Sequence, residues 1–393
     1  MTTAKKGIAS IFISKVLVGF LGLAMVVIVS QYYGAEGRGQ ISLFLSSVAF
    51  LQVFMDFGNN TSLINFSYHY SNRNLWKTAF IWVFAIGILA QVSILFFPHI
   101  VWIYWVPIAA FLFSVINLNN LLFMGNRLVH SRNFFNVLFP TLLLFFFLII
   151  NSNSVDIRNY LFALFTSLFI VVLASVLYLY LKVLKNESTP FQFQSIVLKQ
   201  GFWVQLGQGV QFLNYRVVFF IIAYYLGQSE LGVFNNALVL GESIWILGHS
   251  LGQILHIKIL NSSNELENRK TTQKWLFINL GGTLIMCFVL NIIPNSFWIM
   301  LFSKDFSSMK VLFPYLSLGI VFFSVSNILN HFFHAKNQFK LILSINFVGL
   351  VCGLIMMFLL MPEFKLIGAA LSWSFGLFIP MLIYIYWFIK KRV

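Results

Sequence analysis

Arg216 stands in the middle of a run, Lys199 to Leu231, that is otherwise apolar enough to cross a bilayer as one helix. An arginine at mid-bilayer costs roughly 2.5–3.5 kcal/mol on the lenient insertion scale, so a chain that keeps one has a use for it. At about 100° per residue, Gln205, Gln208, Gly209, Phe212 and Arg216 share one helical face. That face suits a protein interior or a wet cavity, where a guanidinium offers forked donors to phosphate or carboxylate. Two more polar stripes lie in apolar surroundings. One carries Ser42, Gln52, Asp56, Asn59 and Asn60; the other carries Asn235, Glu242, His249, Gln253 and His256 at close to heptad spacing. Lys15 lies in a further apolar run, with Gly19 and Gly22 on its side.

Each of these residues has an ordinary role beside the functional one. Lys15 lies about two turns from a helix end, within snorkelling reach. Asp56 either pairs with a nearby base such as Arg73 or lines a cavity. Arg216 and Glu242 are too deep to snorkel, so they either pair with each other or meet a substrate or a coupling ion such as H+ or Na+. His249 serves either a helix–helix hydrogen bond or the cavity. Asn117, Asn120, Asn327 and Asn330 read first as interhelical glue. No zinc-protease HExxH, Walker A or Rossmann glycine motif occurs, and no local pattern suggests a nucleophile with its base.

The elements that position these residues are membrane helices. Of 393 residues, 60% are hydrophobic and 9% charged, and the mean hydropathy is +0.88. Soluble domains carry about 25% charged residues. The net charge of +15 is dispersed in short runs between apolar segments, which points away from nucleic acid. Cys287 and Cys352 both lie in apolar segments, so no disulfide framework is indicated. The basic N-terminus is followed by an apolar run too long for a signal peptide and is read as a retained first helix.

Twelve spanning segments are expected, near 8–32, 40–66, 77–97, 102–124, 134–150, 159–181, 201–226, 232–256, 275–293, 311–333, 341–361 and 366–389. Of the 25 Lys and Arg residues, 18 fall in one set of alternate loops and 5 in the other, which predicts both termini in the cytoplasm. The connections are short. That counts against a glycan polymerase or ligase, which needs a sizeable outer loop for acceptor and base.

The chain also repeats. A shift of 193 lays SQYYGAEGRGQISLF (from Ser30) over AYYLGQSELGVFNNA (from Ala223), with Gly34 on Gly227 and Gly39 on Gly232. The same shift lays Ser42 on Asn235, Ala49 on Glu242, Asp56 on His249 and Asn60 on Gln253. A slightly larger shift matches FSVIN (from Phe113) to FSVSN (from Phe323). Six helices precede the repeat point, so the copies are parallel: an N-terminal six-helix lobe over 1–190 and a C-terminal one over 191–393. Such pairs bind substrate between the bundles and rock them, and the simplest geometry turns both stripes toward one central cavity.

KGIASIFISKVLVGFLGLAMVVIVSQYYGAEGRGQ at the start, DFG at Asp56–Gly58, NYRVVFFIIAYYLGQSELGVFNNALVLGESI from Asn214 and LIGAALSWS from Leu366 resemble the polysaccharide repeat-unit flippases. These are the O-antigen (Wzx-type) branch of the multidrug/oligosaccharidyl-lipid/polysaccharide exporter superfamily. The resemblance covers nearly the whole chain as ordered pattern. It implies an all-α fold of two six-helix lobes forming a V, in the bacterial cytoplasmic membrane. It implies a non-enzymatic carrier that moves an undecaprenyl-pyrophosphate-linked oligosaccharide from the inner to the outer leaflet, in company with membrane lipids and polysaccharide polymerase machinery. Arg216 matches the family's seventh-helix arginine, and Lys15 fits as a first-helix cation of the lumen. Asp56 and Glu242 depart from a purely cationic lumen and leave room for proton or sodium coupling. The competing readings are a cation-coupled drug exporter of the same superfamily, a membrane enzyme of glycan assembly and a structural scaffold.

Overall fold

The computed structural model describes residues 2–56, 62–94, 101–150, 156–185, 187, 190–260, 262 and 264–390. Among them there are helices and no strands. Among the described residues, nine helices are long and apolar enough to cross a membrane, or up to ten if one bent pair is a single span. With the backbone's polar groups satisfied inside each helix, this is the form an apolar chain must take in hydrocarbon. The molecule is a multi-pass membrane protein.

The chain divides into two compact units, one of residues 1–33 and 44–206, the other of residues 34–43 and 207–393. The first unit holds most of α1 (Thr2–Met55), α2 (Ser62–Phe66), α3 (Asn72–Ile94), α4 (Val106–Gly125), α5 (Val129–Ile150), α6 (Ile157–Leu179) and the start of α7 (Ser195–Tyr225). The second holds the rest of α7 with α8 (Gln228–Ser243), α9 (Trp245–Leu260), α10 (Glu265–Ile292), α11 (Asn295–Phe302), α12 (Met309–Ala335) and α13 (Phe339–Lys390).

One helix is central to each unit. α4 packs on α2, α3, α5 and α6, while α12 packs on α8, α9, α10, α11 and α13. Two-thirds of the apolar window is buried in each of these two (67%), against at most 39% in the other spans. Small and amide side chains let neighbours approach them closely, among them Ala109, Ala110, Ser114 and Asn119 in α4 and Gly319, Ser324 and Asn327 in α12. The FSVIN and FSVSN matches lie on these two helices, so the repeat marks equivalent central elements.

Helix ends follow local chemistry. The Asp156 carboxylate accepts from Arg158 N–H at 2.9 Å and caps α6. Asn264 caps α10 through Glu267 N–H, with Glu265 and Glu267 in the first turn complementing the helix dipole.

Several expected boundaries move. The first two expected spans form one helical run, α1, broken only at Gly34 (φ 63°). The second of them, expected to reach residue 66, ends at Met55. The run from Phe57 to Thr61, including Gly58, Asn59 and Asn60, lies outside the described residues. The last two expected spans likewise merge into α13, broken at Lys365 (φ 48°). The single helix expected over 232–256 is instead α8 and α9, bent by 40°. At this break the Ser243 hydroxyl donates to the Leu240 carbonyl at 2.6 Å and competes with the helical ladder. The expected outer loop before residue 311 contains α11, a short amphipathic turn whose Trp298 and Phe302 are buried.

The connection between α6 and α7 is tied to the start of α3. The Glu187 carboxylate accepts from the Ser71 hydroxyl (2.5 Å), from Asn72 N–H and Nδ2, and from Arg73 N–H (2.9 Å). Asn74 Nδ2 donates to the Pro190 carbonyl, and Gln194 N–H donates to Thr78 Oγ1. Burial works against the Glu187 charge, but these donors outweigh it and hold the carboxyl below the ordinary glutamate range.

Candidate functional site

Arg216 and Glu242 meet. Arg216 Nη2 donates to Glu242 Oε2 at 2.7 Å, and the two side chains are 26% and 17% exposed. The alternative of a mutual ion pair is therefore realised, between α7 and the last turn of α8. The guanidinium also lies 4.9 Å from the Phe219 ring. The pair is monodentate. Arg216 Nη1 and Glu242 Oε1 are both buried and have no hydrogen-bond partner. A largely buried pair with one orphaned donor and one orphaned acceptor is poorly suited to a purely structural role, because each orphan keeps its desolvation cost.

Next to this pair lies a wall of polar and aromatic side chains that spacing alone did not single out. Gln211 Nε2 donates to Tyr215 Oη at 2.8 Å. Tyr215, Trp245 and Phe323 pack ring to ring, with Trp245 4.0 Å from Phe323 by centroid and stacked on Trp373 at 6.0 Å. Behind them Gln211, Asn214, Asn327, Asn330, Asn346 and Tyr384 line a cavity of about 20 Å³. About 10–15 Å³ admits one water, so this is space for a single molecule of solvent. Asn327 is buried and its Nδ2 lacks a partner, so one of the four asparagines read as glue keeps a free donor. The others act as expected where their bonds are described: Asn117 Nδ2 donates to Asp56 Oδ2 at 3.0 Å, Asn120 Nδ2 to Asn136 Oδ1 at 2.9 Å, and Tyr384 Oη to Asn330 Oδ1 at 3.5 Å.

The stripes prove uneven. Asn235 is buried in the second unit and donates to the Ser42 hydroxyl at 2.7 Å. Glu242 is half-buried, whereas His249 and Gln253, beyond the 40° bend, are exposed; His249 lies tilted on Phe323 at 5.8 Å. The bend rotates α9 relative to α8, which uncouples a stripe that looked continuous. On α7, Gln205 is buried in the first unit and Gln208 is exposed in the second. In the first unit, Lys15 is exposed and Asp56 half-buried. Arg73, offered as a partner for Asp56, donates Nη1 to the Glu187 carbonyl at 3.1 Å.

Arg38, which lies between the first two expected spans, is buried in the second unit and donates Nε to Asn236 Oδ1 at 2.9 Å. Around it the two copies of the repeat touch. Gly34 and Gly227 both take positive φ, 63° and 95°. Gly39 and Gly232 approach so closely that a Cβ on Gly39 would overlap the Gln228 carbonyl, and one on Gly232 would overlap the Ala35 carbonyl. Residues 35 and 228 are themselves equivalent under the 193-residue shift, so the contact is reciprocal. Among the described residues, no group of three His, Cys, Asp or Glu side chains gathers as metal ligands.

The fold is that of known lipid and drug transporters. The chain superposes on the lipid II flippase MurJ in an inward closed conformation with a TM-score of 0.79 at 13% identity, covering 96% of this chain and 87% of that one. It superposes on the MATE multidrug transporter DinF-BH with a TM-score of 0.69 at 11% identity, covering 96% and 93%. For a MATE transporter in complex with MaL6 the TM-score is 0.67 at 13% identity, covering 96% of each chain. In sequence, the capsular polysaccharide biosynthesis protein CapF of Staphylococcus aureus is 25% identical over 187 residues. That match spans 46% of this chain and 46% of CapF, less than half the length of the curated relative. No protein-family model matches the chain. A multi-pass helical membrane protein with the fold shared by MurJ and the MATE transporters is what sequence and structure together establish.

Proposed function

We propose that this protein is a flippase for undecaprenyl-pyrophosphate-linked oligosaccharide repeat units, serving O-antigen, capsule or exopolysaccharide assembly in the bacterial cytoplasmic membrane. Counting α1 and α13 as two crossings each and the bent α8–α9 pair as one, we take the chain to cross twelve times with both termini cytoplasmic. On this reading the two lobes, over 1–190 and 191–393, work by alternating access. The physical problem is the polar head: a sugar pyrophosphate cannot pass hydrocarbon unaided, whereas its polyprenyl tail stays in the lipid.

The observation that carries this reading is the half-satisfied Arg216–Glu242 pair inside a membrane span. The free Nη1 offers a charge-assisted donor to a phosphate, and the free Oε1 accepts from a sugar hydroxyl or takes a coupling proton or sodium ion. Lys15, Asp56, His249, Gln205, Gln208, Asn235 and Gln253 are the further residues proposed for the pathway. The MurJ-like fold and the capsule-related partial match support this class of cargo.

Deletion of the protein followed by tracking of the lipid-linked repeat unit tests the reading. The intermediate should accumulate on the inner leaflet; normal delivery to the outer leaflet would refute it. A cation-coupled multidrug exporter is the second reading, favoured by the several MATE transporters of the same fold. It requires dye efflux that survives in cells making no lipid-linked oligosaccharide.

A further inference from the structure

Four of the chain's seven histidines lie on two packed helices of the second unit. α9 carries His249 and His256, seven residues apart and so on one face; α12 carries His331 and His334. Gly252, between the first two, presses against His331: a Cβ there would stand 2.7 Å from His331 Nε2. The His256 and His331 rings are 6.2 Å apart by centroid. His249 lies on Phe323, about two turns before His331. His334 lies on Phe339 at 5.3 Å, in the last turn of α12. The imidazoles thus follow one another along the α9–α12 seam in the order His249, His331, His256, His334. The packing that holds this seam is apolar, built on Leu255, Ile259, Ile328, Leu329 and Phe332.

A row of ionisable groups inside membrane spans is expensive to keep without a use. One hydrogen bond sets its chemistry. His256 Nδ1 lies 3.3 Å from the His331 carbonyl oxygen. A carbonyl only accepts, so Nδ1 carries the hydrogen and Nε2 is left as the basic nitrogen. At the far end of the row, the C-terminal carbonyls of α12 favour a positive charge on His334. The acids of the neighbouring helices are already taken. Glu242 on α8 is held by Arg216, Glu267 on α10 by Lys258 at 3.5 Å, and Glu265 by Arg269 and Lys336. Glu230, Asp305 and Glu363 belong to the other end of the unit, at the starts of α8 and α12 and beside the α13 break. α13 brings Lys340 and Tyr384, whose hydroxyl donates to Asn330, and α10 adds Lys270 and Lys274. A proton taken up here therefore meets other imidazoles and lysines rather than a free carboxylate.

We propose that the α9–α12 seam is a proton-binding site, with His256 Nε2 as first acceptor and the neighbouring imidazoles sharing the charge. Uptake adds H+ to a nitrogen lone pair and breaks no bond. Like charges 6.2 Å apart in apolar surroundings repel strongly, so charging the row spreads α9 from α12 at the Gly252 contact. The 40° bend between α8 and α9 is where that movement is taken up. On the transport reading this makes H+ the coupling ion; the site itself is defined without reference to cargo.

The test is nitrogen NMR of the purified full-length protein, isotope-labelled at histidine and held in nanodiscs, taken from about pH 8 to about pH 5. Single His→Gln variants assign the signals. His256 should take up a proton in this range, and its titration curve should change when His331→Gln is introduced. His69 and His130, exposed and off the seam, should keep their curves. His331 is closely packed; should its variant not fold, His249→Gln and His334→Gln probe the same coupling from the two ends of the row. In parallel, hydrogen exchange over residues 245–260, corrected for its intrinsic pH dependence, should rise roughly threefold or more at the acid end. His256→Gln with His334→Gln should remove that rise. Seam histidines that stay neutral or titrate independently would overturn the proposal, as would level exchange in wild type or a rise that survives the double variant. Neither readout uses cargo, so failure here is distinct from normal repeat-unit delivery after deletion, which refutes the transport reading alone.

Discussion

Ser42 and Asn235, 193 residues apart and equivalent under the repeat, are hydrogen-bonded to each other at 2.7 Å. The duplication thus closes on itself at this point, together with the Gly39–Gly232 approach and the Arg38–Asn236 hydrogen bond. Interhelical hydrogen bonds of this kind contribute about 0.6 kcal/mol in membrane proteins. A double-mutant cycle of Ser42→Ala and Asn235→Ala should return a coupling of that size in thermal or denaturant unfolding. Zero coupling would mean that the contact is incidental.

Gly39→Val and Gly232→Val should be far more damaging than either alanine change in that cycle. Backbone carbonyls occupy the space their side chains need, and overpacking costs roughly 1–3 kcal/mol where neighbours can shift. Backbone shifts less readily than side chains, so a fall in melting temperature and in folded yield is expected. Yield and melting matching wild type would show that the two segments are not held together.

Gly34 and Gly227 separate conformation from contact. Alanine at Gly227 meets open space, so it should cost only the penalty of a positive φ with extended ψ, roughly 1–3 kcal/mol. Alanine at Gly34 meets in addition the Asp305 carboxylate, which accepts from Ala35 N–H at 3.3 Å. The Gly34 variant should be the less stable of the two, and pairing it with Asp305→Ala should recover part of the difference. Equal melting temperatures for the two alanine variants would remove Asp305 from that account.

Arg216→Ala should insert and purify yet lose transport. Glu242→Gln should keep a weaker hydrogen bond to Arg216 and retain part of it. Breaking the pair should cost roughly 1–3 kcal/mol, between the limits for exposed and fully buried ion pairs, because both side chains remain partly exposed. The exchange Arg216→Glu with Glu242→Arg separates the roles. Restored stability without transport assigns the orphaned atoms to the pathway; restored transport would make the pair structural.

Glu187 gives a pH signature outside the membrane spans. Its carboxyl is held below the ordinary value of 4.5. The stabilisation is therefore fully present above the unfolded value and lost as pH falls through the lower folded value. Wild type should melt above Glu187→Gln at pH 7, and the gap should close as the medium is taken below about pH 4. A gap independent of pH would show that shape and not charge holds the connection to α3.

The helical, membrane-embedded nature of the chain is determined by sequence alone, because hydrocarbon admits an apolar backbone only with its hydrogen bonds satisfied internally. The duplication is equally legible: Gly34 and Gly227, matched by spacing, are the two glycines with positive φ among the described residues. Which charges meet was not legible. Arg216 could have faced a substrate, a coupling ion or Glu242, and only the tertiary packing put the two 2.7 Å apart while leaving one atom of each unfilled. Helical periodicity presumes a straight axis, so it joined Glu242 to His249 and Gln253 across a 40° bend set by Ser243 and its neighbours. Burial of Arg38 and the polar wall around Asn214 and Asn346 depend on residues more than a hundred positions away. Local spacing carries no information about such distances; the tertiary fold sets them.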